Sequence, residues 1–124
     1  MNIRKIILAF WAFVFPAMMY GQYTIQCEDT CNHVHGLDMS HYQGEVFWEA
    51  IGNNSKMAYV YLKATEGGTN IDKRYAQNIA LAKQYGLKVG SYHFYRPTRP
   101  QEEQLRNFRY QCQAKDQDLI PLVD

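Results

Sequence analysis

Along this chain, short apolar runs alternate with longer stretches in which apolar residues recur every three or four positions. The first rhythm marks buried strands, and the second marks helices that pack on one face. Residues 34–39 read as a short strand. Residues 46–51 read as a short helix with Phe47, Ala50 and Ile51 available for one face, broken by Gly52, Asn53 and Asn54. Residues 57–64 are rich in aromatic and aliphatic side chains and predict a second strand, with a loop over 66–69. The clearest helix spans 71–85. Tyr75, Ile79 and Ala82 recur at helical spacing, Asp72 is placed to cap its start, and Gly86 is placed to stop it. Residues 87–94 predict a third strand. Pro97 and Pro100 punctuate the next loop, and 101–114 predict a third helix with Leu105, Phe108 and Cys112 on one stripe. A fourth strand is expected over 119–124.

This alternation predicts an α/β fold with parallel strands, because each return to the same end of a sheet needs a crossover. Four strands and three helices make either a small open sheet or half of an eight-stranded barrel. The sequence ends within the fourth strand, whereas chain termini usually lie at the surface. A complete barrel typically takes about 200 residues or more. The expectation is therefore the N-terminal half, about four βα units, of a TIM-like (β/α) barrel.

The first residues follow neither rhythm. Arg4 and Lys5 precede an almost wholly apolar run over 6–19, and Gly21 and Gln22 follow it. That is the order of a secretory signal peptide. The run falls short of the roughly 20 residues that a membrane-spanning helix needs. The predicted organisation is a signal peptide over 1–22, an arm over 23–34 carrying Cys27 and Cys31, and the α/β domain over 35–124. The whole chain has 13 Lys and Arg against 12 Asp and Glu; without Arg4 and Lys5 this becomes 11 against 12, a net charge of −1. Such a balance offers no electrostatic case for nucleic acid. A secreted or periplasmic protein with no stable membrane span after cleavage is expected, its oligomeric state open. Export permits disulfides. Cys27 could pair with Cys31, or either could pair with Cys112. Cys27, Cys31, His33 and His35 are four possible zinc ligands within nine residues, but their spacing fits no common zinc finger. No metal and no cofactor is expected.

The candidate chemistry lies in carboxylates at strand ends. Asp38 ends the first strand and Asp124 the fourth. In a parallel barrel both open onto the rim where active sites are built. Alternation turns Leu37 and Met39 toward the helices and Asp38 inward. It likewise turns Val123 outward and Asp124 inward, and Gly90 and Tyr92 inward on the third strand.

Three segments raise the specificity of this reading. HGLDMSHYQGEVFW over 35–48, YLKATEGGTNIDKRYAQNIALAKQYGLKVGSYHFYRP over 61–97 and IPLVD over 120–124 stand in the order found in family 25 glycoside hydrolases, the Chalaropsis-type lysozymes, which this sequence resembles. The resemblance implies an irregular (β/α) barrel that cleaves the β-1,4 bond between N-acetylmuramic acid and N-acetylglucosamine, with peptidoglycan glycan strands as its partner. It implies that Asp38 and Asp124 are catalytic, Asp124 being the first carboxylate of an Asp-x-Glu strand. The family's general acid would stand two positions past Asp124. Glycoside hydrolysis needs one carboxylic acid to protonate the leaving oxygen and a second carboxylate across the bond. The acid must hold its proton near neutral pH. Positions i and i+2 of a strand share a face, so Asp124 could help keep such a Glu protonated. The resemblance further places Glu66 where it lines the sugar groove or braces its loop. At the end of the third strand, Tyr92 suits stacking on a sugar ring, and His93 beside it is a second substrate-binding candidate, although a histidine there is more often a bonded strand-end residue. Trp48 is expected in the core and Lys63 in an ion pair near the rim. A partial domain of this kind is expected not to hydrolyse; the alternative is a non-catalytic peptidoglycan-binding module.

Overall fold

The computed structural model describes residues 33–124. The signal-peptide reading of 1–22 and most of the arm, with Cys27 and Cys31, lie outside the described residues. Five strands and three helices follow: β1 (His35–Met39), α1 (Trp48–Gly52), β2 (Met57–Glu66), β3 (Asn70–Ile71), α2 (Tyr75–Gln84), β4 (Lys88–Phe94), α3 (Gln101–Gln111) and β5 (Leu122–Val123). Single 3-10 turns occupy His41–Gln43 and Ala114–Asp116. The strand order is β1-β2-β4-β5, with every neighbouring pair parallel. β3 folds back antiparallel on β2. A helix lies in each crossover, so the expected α/β alternation is what forms.

One face of the sheet packs under the helices. Val60, Leu62 and Ala64 of β2 and Val89 of β4 are essentially inaccessible there, joined by Met39, Trp48, Tyr75, Ala82, Leu87 and Phe108. Burying one such aliphatic side chain contributes roughly 1.5–3 kcal/mol. On α1 the buried residue is Trp48, as expected of it, while Phe47 and Ala50 are exposed.

The helix ends differ from the periodic expectation. α2 starts at Tyr75 rather than at residue 71, because Asn70–Ile71 is held as a strand against β2. Asp72 does not cap the helix as its N-cap residue. Its Oδ1 accepts from the Arg74 amide, which makes a turn ahead of the helix. The C-terminal stop is as expected: Gly86 sits at φ 81°, with the Gly86 amide bonded to the Lys83 carbonyl and the Leu87 amide to the Ala82 carbonyl. That is a Schellman arrangement, and it needs a left-handed residue at Gly86. α3 ends at Gln111 rather than 114, and its buried stripe is Gln104 and Phe108, with Leu105 exposed. β5 is confined to Leu122–Val123.

The other face of the sheet carries aromatic rings laid over glycines. Gly36 faces Tyr59 and Gly90 faces Tyr61 in register. A Cβ on Gly36 would fall 2.0 Å from the Tyr59 ring, and one on Gly90 would fall 2.3 Å from the Tyr61 ring. The Tyr61 hydroxyl donates to the Ile120 carbonyl at 3.0 Å, tying the β5 approach to the sheet centre. Gly90→Ala is therefore expected to destabilise by about 1–3 kcal/mol, the usual cost of overpacking. In a Tyr61→Ala background the same change should cost much less, as a double-mutant cycle in urea would show.

Candidate active site

The C-terminal ends of the parallel strands share one rim, and the turns that leave it are fixed by side chains. After β1, Ser40 and Gln43 form a capping box: the Ser40 amide donates to Gln43 Oε1 at 2.7 Å, and the Tyr42 amide reaches Ser40 Oγ. The Ser-x-x-Gln spacing was a readable signal for this turn. The turn is anchored from outside by Asp72, whose side chain is wholly inaccessible. Asp72 Oδ2 lies 2.9 Å from the His41 amide and 2.7 Å from His41 Nδ1. The Asp72 amide in turn donates to the Ala64 carbonyl on β2. One buried carboxylate thus links the loop after β1 to the segment after β3.

A second cluster stands at the end of β2. Pairing slips by one residue between Lys63 and Thr65, so that Lys63 faces Tyr92 in register and Thr65 faces His93. The slip sets Lys63 and Glu66 on one face. Lys63, 5 % exposed, bonds Glu66 Oε2 and lies 4.9 Å from the Phe94 ring and 5.4 Å from the Tyr42 ring. Arg96 closes the cluster: its Nε bonds Glu66 Oε1 at 2.8 Å, and its guanidinium lies over Phe94. Lys63 is thus in the ion pair expected of it. The Lys63 and Arg96 cations hold the Glu66 carboxyl below its ordinary value, outweighing the opposing effect of burial.

Tyr92 lies within electrostatic reach of the candidate carboxylates. Burial pushes its phenol up to about 12, and the charges of Asp38, Asp124 and Asp72 push the same way; a bond with Ser40 opposes them. One neutral phenol therefore senses all three carboxylates. Asp38 and Asp124 are exposed. Asp124 is fixed against β4 by its amide on the His93 carbonyl at 2.9 Å and its carbonyl on the Tyr95 amide at 2.7 Å.

His93 lies apart from this group. It is buried under α3, with Nδ1 2.8 Å from Thr65 Oγ1, Nε2 3.1 Å from Gln104 Oε1, and its ring beside Phe108. Successive residues of a strand face opposite sides, and Tyr92 holds the rim side. The structure therefore shows His93 bonded at the strand end, on the helix side of the sheet. Among the described residues no group of three or more His, Cys, Asp and Glu is placed to hold a metal. No helix among them is long and apolar enough to cross a membrane.

The sequence pattern of glycosyl hydrolases family 25 matches residues 37–124. The chain belongs to that family. Lysozyme M1 of Streptomyces globisporus is 40% identical over 74 residues, which is 60% of this chain and 24% of that protein. Among solved structures, a family 25 glycosyl hydrolase from Bacillus anthracis superposes with a TM-score of 0.68 at 31% identity, over 74% of this chain and 42% of that one. A bacterial lysozyme from Streptomyces coelicolor gives 0.67 at 32% identity, over 77% and 45%. The chain thus spans about a quarter of that curated relative and under half of each solved structure. Its α/β sheet is the N-terminal part of the family's TIM-like fold.

The Glu66 pair carries a pH dependence with a definite sign. A carboxyl held low in the folded state adds stability above its unfolded value of about 4.5 and loses it as the pH falls through the folded value. Glu66→Gln should cost about 1–3 kcal/mol near pH 7, the scale of a hydrogen bond to a charged group. The difference from the unaltered chain should vanish in acid, as urea titrations at both pH values would show.

Proposed function

We propose that this chain is part of an exported peptidoglycan hydrolase that cleaves the β-1,4 bond between N-acetylmuramic acid and N-acetylglucosamine. Asp38 and Asp124 are the carboxylates that face the developing positive charge of the sugar. Tyr92, whose phenol feels both charges, is a neutral hydroxyl that can stack on or bond to a saccharide. The observation that carries this reading is the convergence of Asp38, Asp124 and Tyr92 at one rim of a family 25 sheet.

The same geometry argues that residues 33–124 bind glycan without cutting it. A general acid must hold its proton near working pH. Glu66 is held ionised by Lys63 and Arg96. Asp72 is sealed from solvent and already bonded to His41 and Arg74. Tyr92, at about 12, binds its proton too tightly to deliver it efficiently. In this reading the general acid is not one of these groups, in keeping with the expectation that it stands two positions past Asp124. Export through residues 1–22 belongs to this reading.

Purified chain mixed with insoluble peptidoglycan should sediment with it and release no reducing ends. Failure to sediment would remove the peptidoglycan reading. Release of reducing ends would remove the assignment of the acid. Asp38→Asn should leave the fold intact, because Asp38 is exposed, and it should weaken retention by about three- to tenfold, the scale of one or two polar contacts.

A further inference from the structure

A cleft between the turn after β1 and the segment that follows β2 is built from groups that the hydrolytic reading does not use. It measures about 550 Å3 and is lined by His41, Tyr42, Lys63, Asn70 and Lys73 among others, within the size range of small-ligand sites. Its most exposed aromatic is Tyr42, which is 76% exposed. The Tyr42 ring is nonetheless held: the His41 ring lies 4.1 Å from it, the Lys63 ammonium lies 5.4 Å away, and the backbone is fixed by the Ser40–Gln43 capping box. Nothing in the packing requires an aromatic there. A ring that is pre-positioned yet open to solvent loses little freedom when a ligand covers it.

The second element is the orientation of His41. Asp72 has no contact with solvent, and it accepts from the backbone amides of His41 and Arg74, which can only donate. The short approach of His41 Nδ1 to the same Oδ2 then assigns the imidazole proton to Nδ1. Nε2 is the ring nitrogen turned away from Asp72, on a side chain that is 25% exposed and lines the cleft. An aromatic face next to an oriented ring nitrogen and an amide suits a neutral sugar, with C–H groups against the ring and a hydroxyl, which can donate or accept, bonded to the nitrogen.

We propose that His41 and Tyr42 form a saccharide subsite in the cleft that they line with Lys63 and Asn70, taking an N-acetylated pyranose unit of the glycan chain. The ring of Tyr42 is its platform, and Nε2 of His41 hydrogen-bonds a sugar hydroxyl. Asp72 is a positioning residue that acts through His41. The inference rests on the glycan-binding reading above.

The test uses the whole chain with soluble β-1,4-linked N-acetylglucosamine oligomers, two and four units long, in calorimetric titrations. Tyr42→Ala should weaken tetramer binding by about three- to tenfold, the scale of a single aromatic contact, without moving the thermal midpoint. His41→Asn keeps a donor for Asp72 but removes Nε2, so it should weaken binding with little change in stability. His41→Gln keeps an acceptor at the outer position but loses the Asp72 bond, so it should lower the thermal midpoint. Nitrogen NMR of the unaltered chain should show a proton on Nδ1 of His41. Tetramer affinity unchanged in both Tyr42→Ala and His41→Asn would overturn the subsite while leaving the glycan reading intact. A proton found on Nε2 rather than Nδ1 would also overturn it. Absence of binding by the unaltered chain to either oligomer or to peptidoglycan would overturn both readings together.

Discussion

The one-residue slip in the pairing of β2 with β4 is the constraint on which the rim depends. In a regular strand, residues 60, 62, 64 and 66 would all turn toward the helices. The slip between Lys63 and Thr65 interrupts that order. Thr65 then faces the helix layer, where it meets His93, and Glu66 returns to the face that carries Lys63 and Phe94. A regular β2 would drive the Glu66 carboxylate under α3 and leave the Lys63 ammonium without its anion, at a cost of several kcal/mol for an unpaired buried charge. Bulges of this kind re-aim side chains beside active sites.

From that slip the rim divides by charge. Around Glu66 one carboxylate meets two cations, both of which also lie over the face of the Phe94 ring. Around Tyr92 the carboxylates of Asp38 and Asp124 have no such partner among the cations of the first cluster. Negative charge is thus concentrated around the Tyr92 phenol. The two groups meet at Tyr42 and Ser40, which touch one cluster each: Tyr42 lies over Lys63, and Ser40 bonds Tyr92. The short turn after β1 is therefore the seam of the site.

The alternation of strands and helices was legible because it is local: period-2 and period-3.6 patterns follow from the geometry of each element alone. Asp38, Tyr92 and Gly90 could be assigned to the inner face for the same reason. What the pattern missed depends on partners distant in sequence. Asp72 looked like a helix cap because Asp before a helical run usually is one. Pairing with β2 instead draws Asn70–Ile71 into a strand, and His41, 31 positions away, claims the carboxylate. Leu105 looked like core because it is apolar, yet Gln104 takes the buried place. Gln104 can accept from His93 and the Arg96 amide while donating to the Arg96 and Arg99 carbonyls, and no leucine can satisfy those four groups. His93 and Tyr92 are neighbours in the chain, and strand alternation sets such neighbours on opposite faces.

The capping-box turn shows how stability and function can share residues here. A loop that carries an exposed tyrosine would ordinarily spend conformational freedom on ordering it. In this chain the ordering is supplied by groups that are themselves needed elsewhere: Gln43 satisfies the Ser40 amide, Asp72 satisfies His41 and Arg74, and Lys63 neutralises Glu66. Each of these bonds removes a polar group from isolation, so each is favoured whether or not a ligand is present. The position of the Tyr42 ring is then a consequence of folding rather than of binding, which is the condition for a site to hold a sugar without first having to be built by it.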